Sequence, residues 1–187
     1  MRRVTYSMNM SLDGYIVGPE GDFDFTAPDE EVFGFFTEEL REVGVHLLGR
    51  RLYETMLYWE SAEEDPSLDE SRREWARLWK GLAKVVFSRT LSTVRGNARL
   101  AEGDLKEEIE RLRGEPGEGD IAIGGASLAT EAARLDLIDE YRATVHPVLV
   151  GGGIPFFARD ERRVDLELVQ TRVFSREVVN LRYRVAR

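Results

Sequence analysis

Three short stretches of this chain carry residue types that can hold an anion. The first is Asp120-Ile-Ala-Ile-Gly-Gly-Ala-Ser-Leu-Ala-Thr-Glu131. Residues 121–123 read as a buried strand, Gly124 and Gly125 break it, and residues 126–134 read as a helix with Leu128, Ala132 and Leu135 on one face. A strand that ends in glycines at a helix start leaves backbone N–H groups without partners, and the helix dipole adds to their pull on negative charge. Glycine also lets a phosphate approach where a Cβ would collide. Paired glycines equally serve as plain turn chemistry, so this stretch needs company. It has it in Leu48-Gly49-Arg50-Arg51 and Phe87-Ser88-Arg89-Thr90, each closing an apolar run. In an open parallel sheet, ligands sit outside the carboxyl ends of the strands. Arg50, Arg51 and Arg89 could meet phosphates there, because a guanidinium grips an oxyanion through two N–H groups. Single arginines are otherwise solvated surface charges.

The elements that must position these stretches alternate in type. Residues 3–10 alternate in polarity and read as a first strand, ended by the turn Ser11-Leu-Asp-Gly14 and resumed at residues 15–17. Asp29 is a candidate N-cap, with Glu30 and Glu31 in the first turn of a helix carrying Val32, Phe33, Phe36 and Leu40. Residues 45–48 predict a strand and residues 50–57 a short helix. Ser67 with Glu70 reads as a capping box for a helix bearing Trp75, Leu78, Trp79 and Leu82. Trp75 and Trp79, four residues apart, are expected in the core. Residues 84–87 and 97–100 predict strands, and Asp104 caps a helix closed by Gly114. Residues 140–150 read as a long strand broken by Gly151-Gly-Gly153. Residues 165–174 and 177–185 read as an antiparallel hairpin. The expected fold is α/β, one domain over residues 1–187, with a mostly parallel sheet and an antiparallel edge.

Composition narrows the chemistry. With 187 residues, 42% hydrophobic and 33% charged, the chain reads as an ordinary globular domain. A net charge of −9 argues against a general nucleic-acid binder and leaves room for a local basic pocket. No apolar run is long enough to cross a bilayer, and no charged-then-apolar leader opens the chain, so a cytoplasmic protein is expected. The absence of cysteine excludes disulfides, thiolate metal sites and a cysteine nucleophile. Two histidines, His46 and His146, do not make a histidine-rich zinc site, and neither neighbours a nucleophile-elbow motif, so no metal is expected. There is no G-x-G-x-x-G after the first strand and no G-x-x-x-x-G-K-[ST] loop.

Five pieces of the sequence together resemble the dihydrofolate reductase-like fold, in the branch that includes the riboflavin-pathway reductase domain. They are Met10-Ser-Leu-Asp-Gly-Tyr-Ile16, Leu48-Gly-Arg-Arg-Leu-Tyr-Glu54, Val86-Phe-Ser-Arg89, Ile121-Ala-Ile-Gly-Gly-Ala-Ser-Leu128 and His146-Pro-Val-Leu-Val-Gly-Gly-Gly-Ile-Pro155. They stand in the family's order and cover most of the chain. The resemblance implies a three-layer fold and NADPH as hydride donor. It places Gly49, Arg50 and Arg51 near the cofactor phosphates, Ser88 and Arg89 at the adenosine 2′-phosphate, and Gly124, Gly125, Ala126, Ser127 and Leu128 around the pyrophosphate. It puts the nicotinamide near residues 8–16 and the Gly151–Gly153 loop beside nicotinamide and substrate.

On the substrate side Asp13, Phe25 and Gly152 are candidate contacts, although Asp13 fits first as the residue that shapes the Ser11–Gly14 turn. Asp29 or Glu30 (or Glu31) would be the carboxylate that assists protonation, although all three also make sense as helix-start acids. The implied activity is an NADPH-dependent reduction of a small heterocyclic, carbonyl or imine substrate, pteridine- or pyrimidine-like. It would resemble dihydrofolate reduction or 5-amino-6-(5-phosphoribosylamino)uracil reduction. The H-x-E…P-C-x-x-C deaminase signature is absent. A non-catalytic NADPH-binding module and a purely structural domain remain alternatives. Family members commonly pair as homodimers, so a homodimer with a small-molecule substrate is expected.

Overall fold

The structure, a computed structural model, describes residues 1–157 and 159–187. An eight-stranded sheet forms the middle layer. Its strands, in chain order, are β1 (Val4–Ser11), β3 (Val43–Gly49), β4 (Ala83–Phe87), β5 (Ala98–Leu100), β6 (Asp120–Gly124), β7 (Glu140–His146), β9 (Leu166–Val173) and β10 (Val179–Val185). In space they run β5-β4-β3-β6-β1-β7-β10-β9. The six from β5 to β7 pair in parallel, and β10 and β9 add an antiparallel hairpin at one edge. A second sheet pairs β2 (Tyr15–Val17) with β8 (Ile154–Pro155).

Alternation along the strands builds two cores. Leu47 and Val85 turn one way, onto Leu105, Ile109 and Leu112 of α5 (Leu105–Gly114) and Leu128, Ala129 and Ala132 of α6 (Ala126–Arg134). Leu48 and Val86 turn the other way, onto Phe33 of α1 (Glu30–Arg41) and Trp75 and Trp79 of α4 (Glu70–Gly81). Helices therefore cover both faces of the sheet. Each fully buried leucine contributes about 1.5–3 kcal/mol, which locks α5 and α6 to one side and α1 and α4 to the other. The remaining helices, α2 (Arg50–Met56) and α3 (Tyr58–Ser61), follow β3 directly.

A buried ionic cluster joins α1 to the sheet. The Arg142 side chain is 1% exposed and lies 2.8 Å from Asp120, 2.9 Å from Glu140, 3.0 Å from Glu42 and 3.7 Å from Glu39. Arg3 and Arg182 share the same carboxylates. Removing one partner from such a cluster leaves a buried charge uncompensated, so it fixes the register of α1 over β6, β7 and β10.

The structure revises two local readings. The cap of α4 is Asp69, which accepts from the Arg72 N–H at 2.8 Å, and not Ser67 in a box with Glu70; Ser67 instead bonds Asp65. The capping box lies on α5, between Asp104 and Glu107. The strand expected to reach residue 150 stops at His146, because Pro147 has no N–H to continue a ladder. No helix among the described residues is long and apolar enough to cross a membrane.

Candidate functional site

The three anion-type stretches meet at one edge of the sheet. β3 lies between β4 and β6, with Gly49 opposite Phe87 and Leu48 opposite Gly124. All three strands are parallel, so Gly49, Phe87 and Gly124 stand in a row at the carboxyl ends. α2 starts immediately after β3 and α6 immediately after the turn that ends β6.

How these helices start sets them apart. Helices α1, α4 and α5 are each capped by an aspartate, whose carboxylate accepts a first-turn N–H at 2.8–3.0 Å. Helices α2 and α6 begin at Gly49 and Gly125, with no side-chain cap. Their first-turn N–H groups stay available to an outside acceptor. The glycines there differ in what they answer to. Gly125 has φ +99°, a backbone that side chains rarely adopt. A Cβ on Gly124 would come within 2.6 Å of Leu52 Cδ2 and 2.9 Å of Leu48 Cδ2, so Gly124 answers to packing. Gly49 has φ −71°, and a Cβ added to it would meet nothing within 4 Å. Nothing in the fold itself requires glycine at that position.

Cations line the same edge. Arg50 donates to Thr90 Oγ1 at 3.1 Å, and its carboxylate neighbour, Glu54, is 3.9 Å away. Arg51 and Arg89 are exposed and have no side-chain partner among the described residues. In a chain with 35 acidic and 26 basic residues, unpaired guanidinium groups beside two open helix starts mark a local reversal of the net charge. Ser88 accepts from the Thr90 and Leu91 N–H groups at 3.2 and 3.0 Å, which turns the chain after β4. Ser127 is exposed, Ala126 is half-buried and Leu128 is 6% exposed, so Leu128 packs its side chain inward.

The residues expected on the substrate side are also brought to the carboxyl edge, in structural roles. Asp13 accepts from Val150 N–H at 3.2 Å and Gly151 N–H at 2.8 Å, clasping the loop after β1 to the loop after β7. Its carboxyl is held below the usual range, chiefly by the Ser11 hydroxyl and further by those backbone donors. The same two loops are zipped by β2 and β8 and by Leu12 N–H to Val148 O at 2.9 Å. A Cβ added to Gly152 would meet nothing nearer than Pro19 Cβ at 3.9 Å. Asp29 caps α1 through Val32 N–H and accepts from Ser175 Oγ at 3.3 Å, while Glu31 accepts from the Ser175 N–H at 2.9 Å. Glu30 is exposed at the first helical position. Phe25, in a 3₁₀ turn, stands edge-on to His146 with ring centroids 6.3 Å apart. The sequence singled out neither Thr90 nor the pair formed by Asn9 and His146, whose members are 137 residues apart.

This three-layer α/β fold, with a cation-lined row of parallel strand ends, is dihydrofolate reductase-like. Within that class the chain belongs to the RibD C-terminal domain family, which matches residues 2–180. Among curated proteins it is 34% identical to the uncharacterized protein YyaP of Bacillus subtilis (strain 168), over 97% of this chain and 94% of that protein. Its fold is similar to a crystal structure from Shewanella sp. PV-4 provisionally assigned to riboflavin biosynthesis, with TM-score 0.78, 23% identity and full coverage of both chains. It is also similar to dihydrofolate reductase from Enterococcus faecalis complexed with NADP(H) and RAB-propyl. There the TM-score is 0.64 and identity 17%, covering 99% of this chain and 97% of that one. Both structures, at 23% and 17% identity, share this fold.

Proposed function

We propose that the protein is an NADPH-dependent reductase of a small heterocyclic, carbonyl or imine substrate. The observation that carries this reading is the pair of uncapped helix starts on adjacent strands, flanked by Arg50, Arg51 and Arg89. The fit to a dinucleotide is good on the protein's side. The N–H groups of residues 126–128 and the glycines before them suit a pyrophosphate, and the open space at Gly49 admits phosphate oxygens. Arg50, Arg51, Ser88 and Arg89 suit the extra phosphate that distinguishes NADPH from NADH. NADPH would supply the hydride. Residues 8–16 and the loop at Gly151–Gly153, clasped by Asp13, would orient the acceptor and limit access of water. A proton would reach the reduced group through water or a carboxylate.

A second reading, a binding module without turnover, draws on the engagement of Asp13 and Asp29 in structural hydrogen bonds. Tight NADPH binding without oxidation by any reducible substrate would favour it. The protomer is also read as half of a homodimer, because edge strand β9 leaves Leu166, Leu168, Val169 and Val173 exposed. A cytoplasmic location fits the absence of cysteine.

The test is thermal unfolding with NADPH, NADH or neither, alongside Arg50→Ala and Arg89→Ala. A ligand at a hundred times its Kd stabilises the native state by about 2.7 kcal/mol. At this size that raises Tm by roughly 5–10 °C. The expected result is a larger rise with NADPH than with NADH, and loss of that difference in both variants. Equal responses, unaffected by the substitutions, would overturn the assignment.

A further inference from the structure

The chain has three tryptophans, and all of them stand in one ladder that the strand-end groove does not use. Trp75 and Trp79, on α4, are stacked with ring planes 9° apart and centroids at 5.4 Å. Trp59, on α3, continues the ladder at 4.5 Å from Trp75, and Tyr58 extends it at 5.1 Å from Trp59. The rungs pass from core to solvent: Trp79 is 1% exposed, Trp75 9%, Trp59 half-buried and Tyr58 53% exposed. The inner rung stands edge-on to His46 at 5.5 Å, and His46 Nε2 lies 3.1 Å from where Gly124 would carry a Cβ. The ladder therefore joins the floor of the Gly124-Gly125 turn to the surface at α3. Packing against the sheet accounts for Trp75 and Trp79, and it does not account for an exposed tyrosine in line with them.

Indole and phenol rings give up one electron readily, and rings at these separations are in contact, so an electron can pass from one to the next. A benzene ring resists such oxidation. Phe33, which flanks Trp59 and Trp75 at 6.2 and 6.4 Å, therefore offers no branch. The surroundings give the path a direction. The Trp79 indole N–H is sealed from solvent and has no partner among the described residues, so an oxidised Trp79 has no base there to take its proton. Lys84 Nζ, paired with Glu60 at 3.1 Å, stands 4.9 Å from the centroid of that ring. A positive charge on a buried ring beside an ammonium is unfavourable. At the outer end the Tyr58 phenol meets water, which can accept its proton.

We propose that Trp79, Trp75, Trp59 and Tyr58 form a hole-transfer path, which carries a one-electron oxidation from the strand-end groove to the protein surface. The oxidant is an oxygen-centred radical of the peroxyl class. It takes one electron from Trp79 and becomes a peroxide anion. Trp79 is refilled from Trp75, Trp75 from Trp59 and Trp59 from Tyr58. Tyr58 releases its phenolic proton to water, which protonates the peroxide, and is left as a neutral tyrosyl radical. A soluble thiol then restores the phenol by giving it a hydrogen atom. The net change is peroxyl radical plus thiol to hydroperoxide plus thiyl radical, and no residue is consumed. The path stands whichever cofactor the groove holds.

Because the chain has no cysteine, one introduced thiol can carry a photo-oxidant to a chosen place. Ser127→Cys, at the exposed start of α6, is labelled with a ruthenium polypyridyl complex and oxidised by flash-quench, and transient absorption follows the protein radicals. A tryptophan radical is expected first, decaying as a tyrosyl radical grows. Tyr58→Phe, at an exposed position, should remove the tyrosyl signal and prolong the tryptophan radical at least tenfold. Trp75→Phe should slow tyrosyl formation at least tenfold, and Trp75→Tyr, which keeps an oxidisable ring of similar packing, should restore part of the rate. A tyrosyl radical that forms equally fast without Trp75, a tryptophan radical of unchanged lifetime in Tyr58→Phe, or no protein radical after the flash would overturn the proposal.

Discussion

Substituting Gly49 by serine separates what the fold needs from what a cofactor would need. Gly49 precedes α2 with φ −71° and ψ 155°, values open to any residue, and a Cβ would meet nothing within 4 Å. Serine is also a better N-cap than glycine, by a few tenths of a kcal/mol. Replacing glycine where the backbone is compatible adds about 0.4–1 kcal/mol by restricting the unfolded chain. The free protein should therefore gain about 0.5–1 kcal/mol, a Tm rise of roughly 1–4 °C at this length. A serine hydroxyl that caps α2 would take the N–H groups assigned to the cofactor phosphates and fill the space they approach. NADPH binding should weaken by tenfold or more, about 1.4 kcal/mol. Thermal scans of the free protein and a fluorescence titration with NADPH measure both effects on one sample. Affinity within twofold of the parent, in a variant that is as stable or more so, would refute the placement of phosphates at Gly49.

Further outcomes follow from other parts of the molecule. Burial, with the nearby Lys84 charge second, lowers the His46 pKa from 6.5 to about 4. The unfolded chain thus takes up a proton that the folded chain refuses, and stability is full above about pH 6.5 and falls as pH drops toward 4. At about 1.4 kcal/mol per unit, urea midpoints should register a loss of roughly 2–3 kcal/mol between pH 7 and pH 4.5, and His46→Leu should flatten that dependence. Asp29→Ala should lower unfolding stability by about 1 kcal/mol, whereas Asp29→Ser, which retains a cap, should hold it within a few tenths. Leu168→Glu on β9 should convert a dimer to a monomer in size-exclusion chromatography with light scattering; an unchanged mass would remove β9 from the interface.

The alternation of strands and helices was legible because each buried strand is a short apolar run and α1 and α5 carry their own aspartate caps. Residues 48–51, 87–90 and 121–128 could be read as strand-to-helix or strand-to-turn junctions for the same local reason. Their convergence depended on strand order, which places β6 beside β3 although 70 residues separate them, and here the family resemblance supplied what periodicity could not. The cap of α4 was misread because Ser67 and Asp69 are both good caps two residues apart, and only the three-dimensional start of the helix chooses between them. The β2–β8 pairing, the Asp13 clasp and the Asn9–His146 contact join residues more than 130 positions apart. No local pattern encodes such pairs. The ionic cluster around Arg142 was hidden likewise, since its charges look like surface residues one by one.

Backbone amide NMR during an NADPH titration tests most directly whether the open starts of α2 and α6 hold the cofactor phosphates. The amides of residues 50–52 and 126–128 are expected to shift together and saturate with one Kd, while those of Arg72 and Glu107, already bonded to their aspartate caps, stay in place. Shifts that bypass both open helix starts, or no shift at millimolar NADPH, would contradict it.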